Sequence, residues 1–238
     1  MLKTSVLQRG QGKDLLFLHG YGASKECFLR QINYFSKFYR VTAFDFPGFG
    51  QSESPATAWS VGDYAVFTRE KLNEWQIHTP CVVAHSFGAR VAVKMAAGEN
   101  CFEKMVLTGA AGIIPPRGVI YRMKVGAYRA TKRLFPAYAE RHFGSEEYKK
   151  LSPVERESYK KIVNEDLRYE AEKIDVPVLF IYGEKDTTTP VKSGMVYCSH
   201  VKDSQLCVMP ECGHFAFLDD EISFNRITEE FLELKYDT

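Results

Sequence analysis

The 238-residue chain predicts an α/β fold: a mostly parallel central sheet flanked by helices, with one helical insertion. Three observations carry this expectation. Short apolar runs of strand length alternate with segments whose apolar residues recur at helical spacing, the pattern of strand–helix–strand units. The segment 113–173 breaks that rhythm; it holds several helical patterns and no strand pattern, and is too long for a bare loop in a compact domain. The composition, 45% hydrophobic and 26% charged, is that of an ordinary folded protein and excludes disordered and collagen-like chains.

The elements follow in order. One or two short strands fit before Asp14. Asp14–Leu18 (DLLFL) is an apolar strand ending at His19-Gly20, and Glu26–Phe38 carries a helical stripe of Cys27, Phe28, Ile32, Phe35 and Phe38. Tyr39–Phe46 is the next strand. Trp59–Trp75 reads as a helix, with Ser60 as N-cap and Asp63 in its first turn. Cys81–Ala84 is a short buried strand, Phe87–Ala97 a helix ended near Gly98, and Lys104–Thr108 a strand. Beyond the insertion, Val176–Tyr182 is a strand followed by a helix from about Pro190; Gln205–Met209 is the last strand and Ile222–Leu234 the last helix.

Charge narrows the class of partner. Lys+Arg is 31 and Asp+Glu is 30, a formal net of +1, which gives no global attraction to nucleic acid or to an anionic membrane. No stretch reaches the roughly 20 apolar residues of a membrane span, and residues 1–14 lack the apolar core of a signal peptide. The expected location is cytoplasmic. The six cysteines are scattered without a CxxC, so reduced thiols are the expectation.

Ligands of open α/β sheets sit beyond the carboxyl ends of the strands, so the residues there carry the chemistry. After CVVA comes Ala84-His85-Ser86-Phe87-Gly88, a small-x-Ser-x-small turn between strand and helix. Such an elbow lifts its serine out in a strained conformation and needs small neighbours two residues away on each side. A serine hydroxyl needs a base, and the base needs a group that fixes its tautomer. His214, just past the last strand, has the expected chain order; His19 and His85 read as structural. Asp186 follows Val176–Tyr182 and is the favoured acid over its neighbour Glu184, because the other acid position, Thr108–Gly112, holds no carboxylate. A developing oxyanion needs backbone donors already aimed at it. The N–H groups of Phe87 and Tyr21 are the candidates, and the Tyr21, Phe87 and Phe215 side chains are candidate substrate contacts.

HGYG (19–22), DFPGFGQS (45–52), AHSFGA (84–89), YGEKD (182–186) and CGHF (212–215), in that order, make the chain similar to the α/β-hydrolase superfamily along nearly its whole length. Within it the chain resembles small lid-bearing serine carboxylesterases, including those that act on pimeloyl-carrier-protein methyl esters. The resemblance implies an α/β-hydrolase core over 1–112 and 174–238, a helical lid over 113–173, and a Ser86–His214–Asp186 triad. It also implies ester hydrolysis through an acyl-enzyme with no cofactor and no metal. Ala84 departs from the usual glycine. A C–C bond hydrolase or lactonase on the same triad, or a receptor that keeps only the fold, are the competing readings.

Two patterns mimic other chemistry. Gly20-Tyr21-Gly22 with Asp45 downstream imitates a dinucleotide fingerprint, but Lys25 stands where its third glycine belongs. Cys198, His200, Cys207, Cys212 and His214 crowd together like zinc ligands, but a strand runs through them and turns alternate residues apart. In the expected lid, Arg117, Arg122, Lys124, Arg129, Lys132 and Arg133 form a run without an acid. The plain reading is a solvated basic face; the sharper one is a docking surface for an acidic carrier protein, and a third is weak contact with an anionic membrane surface.

Overall fold

Alternation along the strands sets the two sides of the sheet. In Asp14–Leu18 (β2), Leu16 and Leu18 face one buried layer while Leu15 and Phe17 face the other. The same division runs through Cys81–His85 (β4), where Val82 and Ala84 oppose Cys81 and Val83, and through Val178–Gly183 (β6), where Phe180 and Tyr182 oppose Leu179 and Ile181. A strand buried on both faces must lie inside the sheet with helices on each side. The structure is a computed structural model that describes residues 2–115, Gly118, Tyr148 and residues 151–233.

Seven strands form one sheet in the order β1-β3-β2-β4-β5-β6-β7. The others are Val6–Arg9 (β1), Arg40–Phe44 (β3), Met105–Thr108 (β5) and Ser204–Met209 (β7). Only β1 runs antiparallel, against β3. β5 and β6 are neighbours, with Met105 opposite Val178, although the chain from Gly109 to Pro177 lies between them.

One face packs against Leu29–Phe35 (α1) and Glu221–Leu232 (α8), through Ile32, Phe35, Phe224 and Leu232. The other packs against Val61–Glu74 (α2), Phe87–Gly98 (α3) and Val191–His200 (α6). From the inserted segment, Pro153–Val163 (α4) and Arg168–Ala171 (α5) join this second layer through Ile162 and Ala171. Ala216–Asp219 (α7) precedes α8. The helix at 61 begins as expected: Ser60 Oγ accepts from the Asp63 N–H, and the Asp63 carboxylate accepts from the Ser60 N–H at 2.7 Å, a reciprocal capping box. Ser152 and Glu155 make the same box for α4, with Pro153 at its first position.

The helix expected over Glu26–Phe38 is shorter. Lys25–Phe28 is a 3-10 turn, α1 covers only Leu29–Phe35, and residues 36–38 are turn. The cause is Lys25, whose backbone N–H and ammonium both bond the buried Asp45 carboxylate, at 2.8 and 2.9 Å, tightening the entry. Asp45 also accepts from the Gln51 N–H, so the acid of the dinucleotide-like pattern is spent inside the protein. The run from Arg117 to Arg133 lies outside the described residues apart from Gly118. Among the described residues no helix is long and apolar enough to cross a membrane.

Candidate active site

Ser86 sits between β4 and α3 with φ 50° and ψ −104°, a left-handed backbone that a serine adopts only under constraint. Gly88 supplies the constraint. A Cβ there would meet the Leu18 and His19 carbonyl oxygens at 2.3 and 2.7 Å, so α3 can lie this close to the end of β2 only with glycine. Ala84, in the buried centre of β4, is accommodated.

His214 and Asp186 meet from two other strand ends. Asp186 follows β6 and His214 follows β7, and His214 Nδ1 lies 2.8 Å from Asp186 Oδ2. The carboxylate is fully buried and well supplied with donors. Its Oδ1 accepts the N–H groups of Thr188 and Thr189, each at 2.8 Å. The Thr189 hydroxyl stands 2.7 Å from Oδ2 and 3.1 Å from His214 Nδ1. Burial pushes the Asp186 carboxyl up, but the bonds from His214 and Thr189 outweigh it and hold it below its usual range. Glu184, the other sequence candidate, is exposed and accepts from the Glu211 N–H instead.

Two further histidines are fixed as neutral scaffolding. His19 is fully buried; Nε2 accepts the Phe46 N–H at 3.0 Å and Nδ1 donates to the Gly20 carbonyl at 2.8 Å. That pair ties the loop after β2 to the end of β3. His85 donates from Nε2 to the His214 carbonyl at 3.1 Å, and its ring lies tilted against that of His214, centroids 4.6 Å apart. Burial lowers the two to about 4 and about 3, respectively.

Ser86, His214, Tyr21, Phe87 and Phe215 all border one cavity of about 860 Å³, between the strand ends and α4. The N–H groups of Tyr21 and Phe87 have no hydrogen-bond partner among the described residues. Phe87 heads α3, where a helix leaves its first amides unpaired. The Tyr21 ring leans edge-on against Phe49, Phe87 and Tyr159 of α4, with centroids 4.9, 5.9 and 5.2 Å away. Burial raises its hydroxyl to about 12, so it remains protonated at any working pH. The Phe87 ring is enclosed by Phe46, Tyr64 and Tyr21, whereas Phe215 is 40% exposed at the edge of the cavity.

Three residues here escape sequence reasoning. Thr189 reads as an ordinary turn threonine, and Arg90 as a solvated helix residue. Gly109 reads as a loop glycine, yet it has φ 51° and a Cβ there would stand 3.1 Å from His214 Nδ1. None carries a spacing that would mark it.

Comparison with known proteins agrees with this architecture. Residues 15–224 match the model of the alpha/beta hydrolase family. The chain is 26% identical over 247 residues to the AB hydrolase superfamily protein YisY of Bacillus subtilis, covering 93% of this chain and 92% of that one. It is 26% identical over 254 residues to a pimeloyl-[acyl-carrier protein] methyl ester esterase of Neisseria meningitidis, covering 93% and 94%. An esterase from Exiguobacterium antarcticum has the same fold, with a TM-score of 0.79 at 24% identity over 98% of this chain and 96% of that one. The matched span takes in every strand but β1 and every residue that borders the cavity, and the chain belongs to the alpha/beta hydrolase family.

Proposed function

We propose that the protein is a serine carboxylesterase with Ser86 as nucleophile, His214 as base and Asp186 as the orienting acid. The observation that carries the reading is the convergence of a strained Ser86 and the His214–Asp186 pair on one cavity. Asp186 accepts the proton-bearing Nδ1 of His214, which leaves Nε2 free to take a proton. Ser86 Oγ attacks the ester carbonyl carbon as His214 Nε2 takes its proton. The carbonyl oxygen gains negative charge and is met by the N–H groups of Tyr21 and Phe87. Collapse returns the proton from His214 to the departing alcohol, and water activated by the same imidazole releases the acid from Ser86. In this reading the segment 113–173 is the lid, and its described residues Ile113, Tyr159, Ile162 and Arg168 line the cavity.

The test is direct. Ser86→Ala abolishes turnover of short p-nitrophenyl esters and labelling by a fluorophosphonate, and Asp186→Asn lowers kcat by on the order of 10⁴-fold through loss of tautomer control. Turnover retained by purified Ser86→Ala protein refutes the nucleophile. A larger loss from Glu184→Gln than from Asp186→Asn refutes the acid.

A further inference from the structure

The charges around the cavity are one-sided. Arg90, Arg168 and Lys192 border it, and no aspartate or glutamate does among the described residues. Arg168 is already matched, by an ion pair with Asp166 and a bond to the Ile114 carbonyl. Arg90 is not. It is 7% exposed, and its Nη1 donates to the Ile162 and Glu165 carbonyls at 2.9 and 2.8 Å. No carboxylate lies within 4.0 Å of it among the described residues, and its Nε and Nη2 have no acceptor there. Glu165 and Asp166 act on it only from a distance and burial still lowers its pKa; a charge held out of water without a direct ion pair is costly.

Its position suits an anion. Arg90 lies four residues after Ser86, and its N–H bonds the Ser86 carbonyl at 3.3 Å. Ser86 at the head of α3 and Arg90 in its first turns thus both border the same cavity. The Nε–Nη2 edge is the one that grips a carboxylate side-on. Arg40 uses that edge on Asp14 in this same protein, at 2.6 and 2.8 Å. Lys192, exposed in the first turn of α6, adds a second positive charge and has no ion pair among the described residues.

We propose that the cavity takes esters bearing a second carboxylate, which docks on the Nε–Nη2 edge of Arg90 with Lys192 reinforcing the charge. This deepens the esterase reading and rests on it for turnover, though not for binding. A purely structural Arg90, bracing α4, would matter for stability and not for the charge of the substrate.

The experiment compares kcat/KM for p-nitrophenyl hexanoate, the mono-p-nitrophenyl ester of hexanedioic acid, and 4-carboxyphenyl hexanoate. The first is neutral; the others carry the carboxylate in the acyl part and in the alcohol part. Wild type is expected to favour one carboxylate ester over its neutral analogue by tenfold or more. 4-Carboxyphenyl hexanoate is judged against phenyl hexanoate. Arg90→Gln brings that ratio near one while the neutral ester changes less, and Arg90→Lys keeps part of the preference. Wild-type ratios at or below one, or a preference that survives Arg90→Gln, overturn the proposal. If Arg90→Gln fails to fold, Lys192→Gln is expected to reduce the ratio, and an unchanged ratio counts against it. Binding is read separately on Ser86→Ala protein, whose melting temperature hexanedioate raises and hexanoate does not. That result with no wild-type turnover of any ester sinks the esterase reading alone; equal shifts from both acids sink the anion site alone.

Discussion

Thr189 places one hydroxyl oxygen against three partners: Asp186 Oδ2 at 2.7 Å, the Gly109 carbonyl at 3.0 Å and His214 Nδ1 at 3.1 Å. A hydroxyl has one proton, so it donates to either Asp186 or Gly109 and receives His214 Nδ1–H with a lone pair. In the proposed mechanism Thr189 is thus a positioning residue for the imidazole. Thr189→Val keeps the shape and deletes the bonds to charged partners, a loss of about 1.5 kcal/mol or more and so roughly tenfold in rate. Steady-state kinetics on a p-nitrophenyl ester should show the loss in kcat with KM little changed, and Thr189→Ser should restore it. An unchanged kcat would remove Thr189 from the machinery. Ser86, Asp186 and His214 were legible in the sequence because each follows an apolar strand and bears a group that needs the others. Thr189 and Arg90 were not, because their significance lies in partners distant in sequence: Gly109 and His214 for one, Ile162 and Glu165 for the other.

Helix α3 couples the sheet to the strained serine. Its first turn lies on the end of β2 through Gly88, with carbonyl oxygens where a side chain would begin. Gly88→Ala must push α3 off β2, an overpacking cost of about 1–3 kcal/mol, and it tilts the turn that holds Ser86. Thermal melting should show the destabilisation, and esterase activity at permissive temperature should fall further than the folded fraction does. A variant with native melting and native activity would show that the contact gives way freely. The long helices were legible from apolar spacing and caps, as Ser60 with Asp63 shows. The entry to α1 was not. A lysine at a helix start reads as solvent-facing, but Lys25 is buried against Asp45, and the chain tightens into a 3-10 turn to reach it.

Across the whole molecule, the two buried histidines make stability depend on pH. His19 and His85 end adjacent strands β2 and β4, and burial holds them at about 4 and about 3 against an ordinary value of 6.5. Below 6.5 the unfolded chain binds protons that the folded one refuses, and stability falls with falling pH until the folded imidazoles titrate as well. The melting temperature should therefore drop as pH goes from 7 towards 4. His85→Gln, which keeps a donor for the His214 carbonyl, should make that drop shallower; an unchanged slope would dissociate His85 from it. The parallel character of the sheet and the strand segments were readable from alternating patterns. The order of the strands was not, because every interior strand is apolar on both faces and so carries no mark of its neighbour.

That order has a consequence for redesign of the cavity. Because β5 and β6 pair directly, the length of the stretch from Gly109 to Pro177 enters no strand register, while its described part is tied to the core through Ile162, Leu167 and Ala171. Ile113, Tyr159, Val163 and Arg168 of this stretch border the cavity, so exchanging them changes what the cavity admits without altering any strand pairing. The segment is at once a wall of the cavity and a part of the core, so a redesign of what enters must keep the residues that pack against α3.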